Sequence, residues 1–361
     1  MKCTMYAYGI SPHLSQIYTG FSLLAAAGNI RLVQRLHQYN HAGSNLIRST
    51  GPQDLGGVFV VLNDTKVLFY DLSDASSLRI DVLENVDYYF KRSYVSAAIP
   101  DRFKAIVYPL GLNYEVYTGR LISNEIARFL LRKTAFDNCP VGFIKRVAKL
   151  ASISFLPTIA NMCSPPVATQ EPRVLFMARA WDPENEPPGL SAEVKAERKQ
   201  INEMRACCIE LLRKELGSYF CGGFVQTKYA LDNYKRLILE NAWISGKKNY
   251  LSVLRQFPIC IATTGLHGSI GWKMAEYVAF SKAIVSEVLN CGVPCGFVKD
   301  KNYLEFDTPE LCLQQAKKLL EDSERRQKMM VDNWEYHKAH LVPDKLVLRT
   351  LDIASQGNGG G

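Results

Sequence analysis

The strongest constraint on this chain's fold is a strand-loop-helix pattern that starts twice. Residues 3–8 read as a short buried strand that runs into the loop Gly9-Ile10-Ser11-Pro12-His13 and then a helical stretch through Ala27, closed by Gly28 and Asn29. After a proline- and turn-rich link at 157–172, the run Arg173-Val174-Leu175-Phe176-Met177-Ala178 begins again, with a long charged helix predicted from about 191 to 216. Further strands are predicted at 30–33, 58–62, 67–70, 87–90 and 105–108, and after the link at 219–221, 259–262 and 283–285. Helical stretches fall at 124–133, around 143–150, and from about 309 to 340 with short breaks. Strands alternating with helical patterns predict a mostly parallel, doubly wound sheet in each half.

The expected fold class is therefore α/β with two Rossmann-like domains, 1–165 and 166–345, followed by a terminal segment 346–361. The end of that segment, Gln356-Gly-Asn-Gly-Gly-Gly, has nothing to bury. A length of 361 residues suits two such domains. The 47% hydrophobic and 22% charged shares are those of a folded chain.

Forty-three Lys plus Arg against thirty-five Asp plus Glu leave a formal charge of +8, which favours anionic partners. The basic residues form no long run and no nucleic-acid motif, so nucleic acid is not an expected partner. Ten cysteines are scattered along the chain, and Cys291 and Cys295 have no second ligand pair or nearby His. They read as reduced, buried small residues, not as a zinc site or a disulfide framework. The N-terminal run lacks the apolar core and cleavage site of a signal peptide, and no stretch of ~18 uncharged apolar residues occurs. The expected location is cytoplasmic, with any membrane contact peripheral.

The run Thr263-Thr264-Gly265-Leu266-His267-Gly268-Ser269-Ile270-Gly271-Trp272-Lys273-Met274-Ala275-Glu276 follows a buried strand and starts a helix. Gly265, Gly268 and Gly271 let backbone approach a ligand, and N–H groups at a helix start attract a diphosphate. Glu276 can accept from two vicinal hydroxyls at once. The competing reading leaves Glu276 on a solvated face and the glycines as turns.

Lys273, Glu276-Tyr277, Ala279 and Lys282-Ala283-Ile284-Val285 together strongly resemble the donor-site helix and following strand of GT-B glycosyltransferases. The likeness extends to surface-polysaccharide and lipopolysaccharide enzymes of the group 1/4 kind. It implies two domains facing across a cleft, a nucleotide-sugar donor bound by the second, and Glu276 on the ribose hydroxyls. The strand 174–178 followed by Arg179 resembles the first donor-domain strand, whose terminal basic residue points at the donor phosphates. Gly246-Lys247-Lys248-Asn249-Tyr250-Leu251 resembles, more loosely, the segment that borders the nucleotide base, so Lys247 is a candidate against the alternative of a solvated lysine pair. Many retaining members carry a second Glu eight positions before the ribose Glu, where this chain has Gly268. Retention of configuration is not implied, and His267, Ser269 and Lys273 are the candidates for the remaining donor contacts. No Asp-x-Asp motif suited to a metal is seen, so metal-independent transfer is expected, without a cofactor.

Signals for the acceptor are fewer. His13 lies in the loop after the first strand, where some inverting GT-B enzymes place a catalytic His, and an imidazole is suited to deprotonating a hydroxyl near neutral pH. A loop His without chemistry is the alternative. Asp71 and Arg92 fall near strand ends, where open α/β sheets bind ligands: Asp71 to orient or deprotonate an acceptor, Arg92 to bind an acidic sugar or phosphate, or to pair with a carboxylate. Between 126 and 150, six basic residues interleave with apolar ones, which suits either core packing or an anionic bilayer and a lipid-linked acceptor. The expected activity is hexosyl or related transfer to a saccharide or lipid-linked acceptor. The rivals are a GT-B-like nucleotide-sugar epimerase and a non-catalytic nucleotide-sugar-binding or scaffold partner of a transferase.

Overall fold

The computed structural model describes residues 1–6, 11–35, 56–118, 157–169, 171–184 and 190–356. The predicted helices at 124–133 and 143–150, and with them the basic amphipathic stretch 126–150, lie outside the described residues. The chain divides into two compact units: Met1–Ser73, Ser77–Met162 and His340–Gly361 form one, and Asp74–Ser76 with Cys163–Ala339 the other.

In the first unit β1 (Lys2–Tyr6), β2 (Arg31–Arg35), β3 (Gly57–Leu62), β4 (Lys66–Asp71), β5 (Tyr88–Lys91) and β6 (Val107–Pro109) make one sheet, ordered β2-β1-β3-β4-β5-β6. The helix α1 (Ser15–Ala26) is the crossover between parallel β1 and β2. Every strand runs in one direction except β3, which is antiparallel to β1 and β4. Only Asn63 to Thr65 separate the paired residues Leu62 and Lys66, far too few for a crossover, so β3 and β4 close as a hairpin. Asn63 and Asp64 turn it with φ of 50° and 60°, the left-handed region that Asn and Asp tolerate.

Both faces of this sheet are covered, so its central strands read as unbroken apolar runs. On one face Val58, Val60, Leu68, Tyr70 and Phe90 pack with Ile17, Phe21 and Leu24 of α1. On the other, Phe59, Phe69, Tyr89 and Val107 pack with Val82 and Leu83 of the single-turn α2 (Ile80–Leu83).

The second unit contains β7 (Val174–Ala178), α3 (Ala192–Leu216), β8 (Phe220–Phe224), α4 (Lys228–Asn233), α5 (Lys247–Gln256), β9 (Ile259–Ala262), α6 (Trp272–Ala279), β10 (Ala283–Glu287), β11 (Leu304–Phe306), α7 (Pro309–Glu321) and α8 (Ser323–Tyr336). Its five strands are all parallel, ordered β8-β7-β9-β10-β11. The chain therefore winds outward from β7 in one direction to β8 and in the other through β9, which places a topological switch point between the carboxyl ends of β7 and β9. Capping fixes the helix starts where the sequence placed them: Ser191 accepts from Val194 N–H ahead of α3, and Thr308 from Leu311 N–H ahead of α7.

A one-turn π-helix, His337–Leu341, leads into α9 (Pro343–Gln356), which belongs to the first unit. The segment after 345 is thus largely helical and buried along one side. Val347 and Leu351 enter the first unit's core, the hydroxyls of Thr350 and Tyr70 are 2.7 Å apart, and Arg349 donates to Leu110 O at 2.6 Å. Gly20 permits this approach: a Cβ there would lie 2.3 Å from Pro343 O and 2.5 Å from Val347 Cγ2.

Candidate functional site

The buried side of α3 is a stripe at helical spacing that changes character along its length. Ile209, Leu212 and Leu216 are apolar and sit in the core, whereas Arg198, Asn202 and Arg205 continue the same stripe toward the amino end. The polar half serves the chain leaving β7. Arg198 donates to Asp182 O at 2.8 Å, and Asn202 bonds both the N–H and the C=O of Trp181 at 2.8 and 2.6 Å. Arg205 spans the switch point. Its guanidinium donates to Arg179 O at 2.7 Å after β7, and to Thr263 Oγ1 at 2.9 Å and Thr264 O at 2.8 Å after β9. Burial lowers its pKa to about 10, opposed by Glu287, so it stays charged at neutral pH. Glu287, ending β10, accepts the N–H and hydroxyl of Thr264 at 2.6 and 2.9 Å.

The glycine-rich run folds as a tight loop between β9 and α6. Gly265 N–H donates to Ser269 O at 2.8 Å, and Ser269 N–H to Leu266 O at 3.2 Å. His267 and Gly268 are consecutive left-handed residues, with φ of 60° and 61°. The His267 N–H donates to Glu197 Oε1 of α3 at 2.5 Å, which holds that non-glycine residue in its costly conformation. Several of the loop's N–H groups are therefore already bonded within the protein, two of them to carboxylates. Gly271 is the N-cap residue of α6, and no side chain caps this helix.

On α6, Lys273, Glu276 and Tyr277 share one face at i, i+3 and i+4, turned inward. Glu276 is 3% exposed and accepts from Lys247 Nζ at the start of α5 at 2.5 Å. Lys273 Nζ donates to Met177 O of β7. Both lysines lie over the Tyr250 ring, at 5.9 and 5.5 Å from its centroid. Desolvation drives Lys273 down from 10.5 to about 8; Glu276 opposes the fall, while Arg205 and Lys247 add to it. Arg179 is exposed beside this cluster's first strand, its guanidinium 4.9 Å from the Trp181 ring centroid.

The structure thus brings Glu276, Lys247 and Lys273 together and ties the loop bearing His267, Gly268 and Ser269 to the same strand ends. Ser269 is buried, whereas the His267 side chain is 45% exposed. Sequence reasoning missed Arg205, Glu287, Glu197 and the two threonines as parts of this corner. For Arg205 the signal was present: a polar residue prolonging an apolar helical stripe.

In the first unit, Arg92 follows β5 and its guanidinium NH1 is 3.5 Å from His13 Nδ1. His13 is fixed from two sides, its N–H donating to Ser11 Oγ at 3.2 Å and its C=O accepting from Asn113 Nδ2 at 3.2 Å. Asp71 is fully buried one step away. Its carboxylate accepts from Tyr89 Oη, from Lys91 Nζ at 2.9 Å and from Ser73 Oγ at 2.6 Å. Burial, and after it the Asp71 carboxylate, push the Tyr89 phenol far above its ordinary range. Asp71 therefore holds β4, β5 and the turn after β4 together.

No family model and no curated protein matches the chain. Solved structures that it resembles include the C-terminal domain of a group 1 family glycosyl transferase, LpcC, from Francisella tularensis, at 15% identity over 50% of this chain and 97% of that one, with a TM-score of 0.35. Anabaena HepE in complex with UDP matches at 11% identity over 75% of this chain and 65% of that one, with a TM-score of 0.36. An S. aureus TarM variant in complex with Fondaparinux, alpha-GlcNAc-glycerol and UDP matches at 10% identity over 82% and 62%, with a TM-score of 0.38. The chain spans about two thirds or less of the latter two proteins. Among the described residues no helix is long and apolar enough to cross a membrane.

Proposed function

We propose that the chain is a metal-independent glycosyltransferase that takes its sugar from a nucleotide-sugar bound at the β7/β9 switch point. The observation that carries this reading is the buried carboxylate of Glu276, set between Lys247 and Lys273 on the helix that opens from the switch-point loop. A buried acid beside two cations at a strand-end loop is a candidate for a ligand's hydroxyls, and parallel sheets of this winding bind nucleotides at such a point. Glu276 accepts from the ribose hydroxyls, with Lys247 released or retained as a neighbour. Lys273, Arg179 and the positive dipole end of α6 stabilise the diphosphate as the sugar leaves, the role a metal has elsewhere. His267, Gly268 and Ser269 border the donor sugar. Arg205 positions the two strand ends and touches no ligand.

His13 and Arg92, both in the first unit, are the proposed contacts to a saccharide or lipid-linked acceptor in polysaccharide synthesis. The bonds of Asp71 leave it a structural part, so it stands outside the proposed catalytic set. Peripheral contact with an anionic membrane is part of the proposal and rests on the basic stretch 126–150 alone.

A thermal-shift screen with UDP-, GDP-, CMP- and dTDP-sugars tests the donor assignment, because a ligand held at 100 times its Kd stabilises by about 2.7 kcal/mol. One nucleotide class should raise Tm in the wild type and not in Glu276→Gln. No shift with any class overturns the reading in favour of a scaffold. Donor converted to an isomer without an acceptor would favour an epimerase.

A further inference from the structure

We propose that Glu197 of α3 is a positioning residue for the sugar end of the donor site: its carboxylate holds His267 in a left-handed conformation, so that the imidazole meets a hydroxyl of the transferred sugar. This deepens the transferase reading above and rests on it. His267 has φ 60° and ψ 29°, a conformation that a glycine adopts without steric cost. One carboxylate fastens it twice, with Oε1 accepting the His267 N–H at 2.5 Å and Oε2 lying 3.9 Å from Nδ1. The loop is held from the β10 side as well. Asn290 Nδ2 is 3.3 Å from where a Cβ on Gly268 would lie, and Cys291 Sγ donates to Gly268 O at 3.9 Å. Strained backbone persists where its surroundings over-determine it in this way, and it gathers at ligand sites.

Packing does not account for the side chain. The imidazole is 45% exposed, and its partner is Glu197. A ring carried at a position suited to glycine, and left largely in solvent, points to a group outside the protein. With Nδ1 turned to Glu197, Nε2 is the nitrogen left for a ligand, and a hydroxyl suits it in either tautomer because it both donates and accepts. The order of the chain agrees. The site runs from Glu276, proposed on the ribose, back through Lys273 and the start of α6, proposed on the diphosphate, to His267. A nucleotide-sugar presents ribose, diphosphate and sugar in that order.

The test compares two affinities by titration calorimetry: for whichever UDP-, GDP-, CMP- or dTDP-sugar raises Tm, and for its nucleotide without the sugar. The proteins are the wild type, His267→Gly, Glu197→Ala and the double variant. His267→Gly keeps the loop's shape and removes the ring, so its Tm should equal or exceed that of the wild type. Its affinity for the nucleotide-sugar should fall about tenfold, the worth of one good hydrogen bond, with affinity for the nucleotide unchanged. Glu197→Ala should lower Tm and give the same selective loss. The two should not add, because glycine takes the left-handed conformation without the carboxylate, so the double variant binds as His267→Gly does. Wild-type affinity for the nucleotide-sugar in His267→Gly overturns the proposal. Equal loss for both ligands puts the ring on the diphosphate and overturns the sugar assignment. A further loss on adding Glu197→Ala to His267→Gly makes Glu197 a ligand contact and overturns its positioning role. A wild type that binds neither ligand sinks the transferase reading and this proposal with it, whereas nucleotide binding with unaltered selectivity in the variants sinks this proposal alone.

Discussion

Lys273 offers a test of the donor site that does not require the acceptor. Burial sets its pKa at about 8 in the ligand-free protein. About a tenth of the molecules then carry it neutral at pH 7, about half at pH 8 and about nine tenths at pH 9. A diphosphate brought against it favours the ammonium and moves its pKa back toward the ordinary value. The pyrophosphate of a nucleotide-sugar has no proton to exchange near neutrality, so the proton comes from solvent onto the lysine. Binding should therefore take up about 0.1 proton per donor at pH 7 and about 0.5 at pH 8. Because the bound-state pKa is the raised one, affinity is fully present below about pH 8 and weakens above it, approaching tenfold per pH unit. Titration calorimetry at pH 8 in two buffers of different ionisation enthalpy gives the proton number directly, and Lys273→Met should abolish both the uptake and the pH slope. Donor that binds at pH 8 without proton uptake, and with equal affinity from pH 7 to 9, would refute the placement of the diphosphate beside Lys273.

Lys282 is 3% exposed and lowered to about 8, chiefly by burial, so the unfolded chain binds more protons than the folded one between about pH 8 and 10.5 and stability rises with pH across that window. Lys282→Met should add up to about 3 kcal/mol at pH 7 and reduce that rise, both read from denaturant melts at several pH values. Asp71→Asn leaves the buried Lys91 ammonium with Ser73 Oγ but without its counter-charge and should cost about 3–5 kcal/mol by the same melts, whereas a purely catalytic role would spare stability and cut only turnover. Gly20→Val forces a side chain into Pro343 O and should destabilise the first unit by about 1–3 kcal/mol or more, with a lowered Tm in calorimetry. Transfer measured in excess EDTA should match transfer without it; a loss restored by a divalent cation would overturn the metal-independent mechanism.

The winding of the second unit was legible because β7, β9 and the start of β10 are buried apolar runs with a turn on either side. The strand β11 was not, since Glu305 interrupts its apolar residues and the charged residues Asp300 and Lys301 precede it. In the first unit every strand was visible near its place, yet the direction of β3 was hidden. Strand periodicity is the same whichever way the chain runs, and only the shortness of the Asn63-Asp64-Thr65 connection distinguishes a hairpin from a crossover. The return of α9 to α1 was invisible for a related reason: its apolar stripe says that it packs, and Gly20, more than 300 residues earlier, says what it packs on.

The site divides along the same line. Glu276 and Lys273 stand out in the sequence as candidates because the loop and the helix that carry them are contiguous. Arg205 and Glu287 work at a distance, each anchoring backbone from a strand other than its own, and no short motif spells such a contact. The spacing 198, 202, 205, 209, 212, 216 does carry it. A stripe that begins polar and ends apolar suits a helix lying along a sheet from its core to its carboxyl edge, and here the polar end meets the chain leaving β7 and β9. That rule makes Arg205→Met informative: it preserves the stripe's volume while leaving Arg179 O and Thr264 O without their donor. Loss of donor affinity in a variant that still folds would assign Arg205 to positioning the switch point. Unchanged affinity would mean that the strand ends hold their geometry without it, and that the polar half of the stripe serves stability alone.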